Sequence, residues 1–287
     1  MKKVAIIGMG LIGGSIGMAI KNKDLAQEVI GVSRSIEHLK EAKKKCALDS
    51  YSIDPIEASK DADLVFVTTP INLIAAIVKT IAPSLKEGAI VTDVGSSKAA
   101  IVAEIESSVS GKSFFIGGHP MAGTEHSGIT AATKFLFEGA NYILTPTEKT
   151  PKKAIESLKD FLSKLDVNVM TMSPERHDLV VAGISHMPVA VAVSLVNTVA
   201  GMEKERDEML AAASSGFRDT TRIAAGNVEM ALDMFSTNKG AVLAMIEKFK
   251  ASLERMENLI REGKGKELEL ELKRAKELRA GMYAVNS

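Results

Sequence analysis

Cysteine is almost absent. Cys46, in the run EAKKKCALD, is the only one in 287 residues, so no internal disulfide can form and paired CxxC metal patterns are excluded. Net charge is missing too: Lys plus Arg and Asp plus Glu stand at 36 each. No global field therefore favours nucleic acid or an anionic membrane, and a small, locally recognised partner is expected. No small-residue cleavage site follows the short apolar run of MKKVAIIGMG, which reads as a strand and not as a signal peptide. Repeats and low-complexity tracts are absent. Together these absences point to a reducing cytoplasm. One long apolar stretch, residues 179–202, could span a bilayer by length, but His186, Pro188 and Asn197 interrupt it. The expectation is a helix buried inside a protein or a dimer.

What is present is an alternation. Short β-rich runs at 4–8, 29–33, 64–69, 89–94, 114–118, 142–145 and 167–172 are separated by segments such as 72–82 and 98–107 with apolar residues at helical spacing. That pattern predicts an α/β fold with a doubly wound, mostly parallel Rossmann-type sheet over residues 1–172. Past Ser173 the strand signals stop. Ser173 and Pro174 read as a cap and first turn, and residues 173–287 are expected to form an all-α domain. Its clearest element spans 242–262, with Val242, Ile246, Phe249, Leu253, Met256 and Ile260 on one face. Residues 264–279 read as a charged, solvated terminal helix.

The first strand runs directly into Gly8-Met9-Gly10-Leu11-Ile12-Gly13. In this strand, turn and helix context the pattern predicts a dinucleotide site. Gly8 makes the turn, Gly10 lets main chain approach a pyrophosphate, and Gly13 allows close packing at the positive end of a helix containing Leu11 and Ile12. At the end of the second strand, where an acidic residue commonly binds the ribose 2′-hydroxyl, the chain has Ser33-Arg34-Ser35. Two hydroxyls and a guanidinium suit a 2′-phosphate, so NADP is expected to be preferred, with NAD possible; the alternative for Arg34 is a solvated surface side chain. Thr68, Thr69 and Pro70 close the third predicted strand and should line the same crevice.

His119 sits in FIGGHPMAGTEHSG, between two glycines and a proline, where regular structure is expected to break. It follows a strand whose carboxyl end should face the cofactor crevice. A neutral imidazole there could take a proton from a hydroxyl while hydride leaves the same carbon. Ser96, in DVGSSK, could orient the imidazole or the substrate hydroxyl. No metal is expected.

In order along the chain stand GMGLIGGS, DVGSSK, GGHPMAGTEHSG, ERHD, SHMP and GFRDTTRIA. Together they resemble the prephenate and arogenate dehydrogenases of tyrosine biosynthesis, over nearly the whole chain. The resemblance implies oxidation of the ring carbinol with NAD or NADP, followed by loss of carbon dioxide as the ring aromatises. It implies that His119 is the general base, that Ser96 is the serine contacting it, and that Thr124 and Glu125 line the substrate pocket. His186 is either a hydrogen-bonded core histidine or a group near the substrate. It lies nine residues after His177, on the opposite face if the helix is regular, so the two should not share a ligand. Where many prephenate-preferring relatives have a second histidine after the proline, this chain has Val189. Arg218 and Arg222 fall on one face if their segment is helical, and both suit the two carboxylates of prephenate. Arg222 is favoured by the family match, with an ion pair to Asp178 or Asp219 as the alternative, and Asp178 is a candidate for holding an arginine. The resemblance also implies a homodimer through the helical domain. The rival readings are an arogenate enzyme, a β-hydroxyacid dehydrogenase, which normally uses a catalytic lysine, and a dinucleotide sensor without turnover.

Overall fold

A computed structural model of the chain describes residues 1–106, 108–109, 111–124 and 126–283. The chain divides into two compact units, Met1–Lys239 and Gly240–Ser287. The first unit holds the strands β1 (Lys3–Ile7), β2 (Glu28–Val32), β3 (Ser50–Ser52), β4 (Leu64–Val67), β5 (Ile90–Asp93), β6 (Phe114–Pro120), β7 (Asn141–Thr145) and β8 (Asn168–Thr171). They form one sheet in the order β3-β2-β1-β4-β5-β6-β7-β8, and only the β6–β7 pairing among them is antiparallel. The order reverses between β1 and β4, which is where open α/β sheets leave a crevice at the carboxyl ends of their strands.

Alternate residues of the strands feed two cores. Val4 and Ile6 of β1 join Leu64 and Phe66 of β4 on one face, with α1 (Leu11–Asn22), α2 (Ile36–Lys44) and α6 (Lys152–Ser163). Ala5 and Ile7 join Val65 and Val67 on the other, beneath α3 (Pro55–Ser59), α4 (Ile71–Ile81) and α5 (Ala99–Glu106). This two-residue period, buried on both faces, is what a doubly wound sheet requires. Phe66 sits in the first core with its ring centroid 6.3 Å from that of Phe161; truncating it to Ala would cost about 3–5 kcal/mol.

Two sequence expectations need correction here. The sheet has an additional strand, β3, whose sequence Ser-Tyr-Ser is too short and polar to give a strand signal. And β6 does not stop at the glycines: it continues through His119 to Pro120. Pairing with β5 ends at Ile116, but the antiparallel partner β7 carries the strand on, setting His119 opposite Ile143 and Pro120 opposite Tyr142. Proline is tolerated there because it is the last residue of the strand, with no β5 ladder left to complete.

After β8 the first unit is helical. Ser173 caps α7 (Pro174–Val181) by accepting from Arg176 N, with Pro174 at the first position. A π-helical turn, Ala182–His186, joins α7 to α8 (Met187–Ala200). Then come α9 (Arg206–Ala212), α10 (Ser215–Thr221), a 3₁₀ turn (Arg222–Ala225) and α11 (Val228–Thr237). The second unit comprises most of α12 (Lys239–Arg261) and α13 (Gly265–Tyr283), which are joined through Gly263 at φ +64°. Along the predicted seam of α12 only Val242 is buried, while Leu253 and Ile260 are exposed.

Candidate active site

The first predicted site is built by glycines. Gly8 has φ +108°, and a Cβ there would come within 2.7 Å of the Thr68 carbonyl oxygen; one on Gly13 would come within 2.0 Å of the Gly8 carbonyl oxygen. Neither position admits a side chain. Beside Gly10, by contrast, a Cβ would meet nothing within 4 Å, so the turn is open where a pyrophosphate would approach. No side chain caps α1 and no acidic residue lies in its first turn, where Leu11 and Ile12 begin the helix. The helix end is thus left for an external anion. These features fit a dinucleotide. The hydroxyl of Thr68 is spent inside the chain on the carbonyls of Ile7, at 3.1 Å, and of Gly8. Thr69 Oγ1 is buried without a hydrogen-bond partner, and Pro70 precedes α4.

At the end of β2 the structure alters one detail. Ser35 caps α2, accepting from His38 N at 3.2 Å and donating to Glu37 at 3.0 Å. The first turn of α2 thus folds Glu37 back onto Ser35 and brings a carboxylate beside the segment. Ser33 Oγ accepts from Ser35 N at 3.3 Å, which leaves its own hydrogen free to donate.

The second predicted site centres on His119, which is nearly buried. Its Nδ1 lies 2.8 Å from His177 Nε2, and His177 Nδ1 lies 2.8 Å from Asp178 Oδ1. Asp178 also accepts from Lys98 N at 2.7 Å and Ala99 N at 2.9 Å, so it caps α5. This chain of contacts assigns the tautomers. The carboxylate accepts, so His177 donates through Nδ1 and presents a lone pair at Nε2. His119 then donates through Nδ1, and the free lone pair is on its Nε2. Burial first, then the neighbouring His177, Lys98 and His186, hold His119 well below the usual histidine range of 6.5. A neutral imidazole with one free, oriented lone pair has what a general base needs.

His177 was not singled out from the sequence as an active-site group. Asp178, a candidate for holding an arginine, instead holds His177 and the end of α5. The orientation of His119 also belongs to His177: among the described residues no hydrogen bond joins Ser96 to the imidazole. The regular-helix premise for His177 and His186 fails as well, because the π turn between them changes the angular step. Asn238 Nδ2 donates to both the Asp178 carbonyl, at 2.8 Å, and His186 Nδ1, at 3.2 Å. His186 is buried, facing Asp178, His177 and the Ser96 main chain, and burial drives its pKa down to about 4.

Among the described residues, Thr124, Arg218 and Arg222 make no hydrogen bond to this cluster. Thr124 is exposed, and its hydroxyl closes a turn by accepting from His126 N at 3.2 Å. Glu125 lies outside the described residues. Arg218 is exposed and pairs with Asp219 at 3.1 Å. Arg222 opens the 3₁₀ turn after α10, so no single α-helical face holds both arginines; it is exposed and makes no hydrogen bond or ion pair among the described residues.

Comparison with known proteins identifies the family. Family models described as the prephenate dehydrogenase nucleotide-binding domain and the prephenate dehydrogenase dimerization domain match residues 16–171 and 173–274. A prephenate dehydrogenase of Bacillus subtilis is 36% identical over 97% of this chain and 76% of its own length. The crystal structure of Synechocystis arogenate dehydrogenase superposes with a TM-score of 0.86 at 35% identity, over 98% of this chain and 99% of that one. Prephenate dehydrogenase from A. aeolicus, in complex with hydroxyphenyl propionate and NAD+, gives 0.91 at 34% identity over 98% of both chains. With the glycine turn, the doubly wound sheet and the buried histidine in place, and with matches spanning almost every residue, this chain belongs to the prephenate dehydrogenase family.

Proposed function

We propose that this chain is a dehydrogenase that oxidises prephenate to 4-hydroxyphenylpyruvate. The observation that carries the reading is the Asp178–His177–His119 chain, which ends in a free imidazole lone pair at the carboxyl edge of a sheet whose first helix offers an uncapped N-terminus. His119 Nε2 takes the carbinol proton, and Ser96, not engaged by the imidazole, is free to hold the substrate hydroxyl. The nicotinamide supplies the hydride acceptor. The ring carboxylate then leaves as carbon dioxide, and its bonding electrons complete the aromatic ring. Arg222 receives a substrate carboxylate, with Thr124, Glu125, His186 and Arg218 lining the remainder of the pocket. We assign residues 1–172 to the cofactor and residues 173–287 to substrate and dimer contacts. Gly8, Gly10, Leu11, Ile12 and Gly13 take the pyrophosphate, and the strand ends carrying Thr68, Thr69 and Pro70 border it. Ser33 and Arg34 favour the 2′-phosphate of NADP, next to the capping Ser35, while Glu37 offers a carboxylate to the ribose 2′-hydroxyl of NAD.

The homodimer reading rests on α7, the π turn and α8. Leu179, Ile184 and Val193 expose 41%, 61% and 38% of their surface, which a second copy would cover. We place the enzyme in the cytoplasm. Arogenate is the second substrate reading, favoured by Val189, which stands where many prephenate-preferring relatives have a histidine. Steady-state rates with prephenate, arogenate and a 3-hydroxy acid, each with NAD and NADP, test the proposal. Turnover of prephenate with carbon dioxide release is expected, and turnover of the 3-hydroxy acid alone would overturn it.

A further inference from the structure

Asp93 ends β5 with no exposed surface, and three donors converge on its carboxylate. Gly118 N reaches Oδ1 at 3.0 Å, Gly95 N reaches Oδ2 at 2.8 Å, and Lys98 Nζ also meets Oδ2. Gly118 precedes His119 and Gly95 precedes Ser96. One carboxylate thus ties down both main-chain segments that carry the reacting groups. Lys98 is wholly buried as well, and its backbone N–H is one of the donors to Asp178. It therefore touches both supports of His119: Asp93, which holds the main chain through Gly118, and Asp178, which holds the ring through His177. Buried ammonium groups are costly, and an apolar side chain could fill the same space more cheaply. Packing alone gives no reason for a lysine here.

We propose that Lys98 is a positioning residue for the reaction: its buried ammonium locks the Asp93 carboxylate, so that Ser96 and His119 are held in register, and it sets a fixed positive charge beside the His119 ring. The inference rests on the reading of His119 as the base. The titratable groups around His119 are His177 and Asp178 from α7, His186 from the π turn, Asp93 from β5, Tyr142 from β7 and Lys98 itself. Burial pulls Lys98 down from the ordinary amine range and the Asp93 carboxylate opposes it, with Asp178 adding to Asp93. The ammonium acts on His119 in the same direction as burial, against protonation.

The test compares the full-length wild-type chain with Lys98→Met and with Asp93→Asn/Lys98→Met, following the ring resonances of the histidines by NMR as pH is varied. This readout needs no substrate, so it stands even if the prephenate reading fails, whereas an inactive wild type would count against that reading alone. In Lys98→Met, the His119 ring resonances are expected to titrate at higher pH than in wild type. The double variant, which loses one charge of each sign, is expected to return His119 towards its wild-type midpoint. In activity assays both variants are expected to lose tenfold or more in kcat with cofactor affinity unchanged, and the acid limb of the Lys98→Met kcat profile should move to higher pH. Should Lys98→Met not fold, the double variant still decides, since it leaves no unpaired buried charge: a wild-type kcat in it would overturn the proposal. So would an unshifted His119 midpoint in Lys98→Met, or activity falling only in proportion to folded protein.

Discussion

His177 Nε2 stands 2.8 Å from His119 Nδ1, across 58 residues of chain, and this contact decides which nitrogen of His119 is free. The tautomer follows from Asp178 behind His177, so the protonation of a residue on β6 is set by α7.

Replacing Asp178 by Asn tests that relay. An amide can donate to His177 Nδ1, which reverses both tautomers and puts a proton on His119 Nε2. The expected result is a fall in kcat of about 10²-fold or more, by the logic of the carboxylate that orients a catalytic imidazole, with cofactor affinity unchanged. Turnover within a few-fold of wild type would show that the relay does not set the tautomer.

The cofactor loop gives a second prediction. Replacing Arg34 by Ala, or Ser33 by Asp, should weaken NADP far more than NAD, because only the 2′-phosphate meets those side chains. A charge-assisted contact contributes about 1.5–3 kcal/mol, or roughly tenfold to a hundredfold in affinity. Dissociation constants for both cofactors check this, and equal losses would make the loop purely structural.

The glycine turn of the candidate cofactor site was legible in the sequence, because it is a local pattern. GMGLIG follows its strand immediately, and Gly13 is required by the Gly8 carbonyl five residues earlier, while Gly8 is also required by Thr68 past the end of β4. The base centre was legible only in part. His119 was marked by its flanking glycines and proline, but its partners lie 58 and 59 residues further on, and no spacing rule connects a strand end to a helix start at that distance. A weak signal did exist: His177 and Asp178 directly precede the apolar stretch that starts at Leu179, where two polar residues in succession need partners. Lys98 had no reading of its own in the sequence beyond its place in DVGSSK. The π turn and β3 gave no signal, since neither has a distinctive composition.

Stability should depend on pH through the buried histidines. The folded pKa values of His119 and His186 lie below the ordinary 6.5, that of His186 at about 4. The unfolded chain therefore binds protons that the folded chain refuses. The contribution is fully present above about 6.5 and is lost as pH falls through the folded values. Tm should decline from near 6.5 towards about 4, and His186→Asn should flatten part of that decline. Identical slopes in the two proteins would remove His186 from the linkage.

Assembly offers a separate check. Sedimentation at low micromolar concentration should give a dimer, and the unfolding midpoint should rise with protein concentration. A folded, active species of 30.6 kDa would contradict the dimer.

The most direct measurement is turnover of prephenate by wild type and His119→Asn, following nicotinamide reduction and carbon dioxide release together. The account predicts that wild type yields both in equal amounts, and that the variant binds cofactor normally while its kcat falls by about two to four orders of magnitude. A variant that keeps more than about a tenth of wild-type turnover, far above the range for loss of a general base, would contradict it.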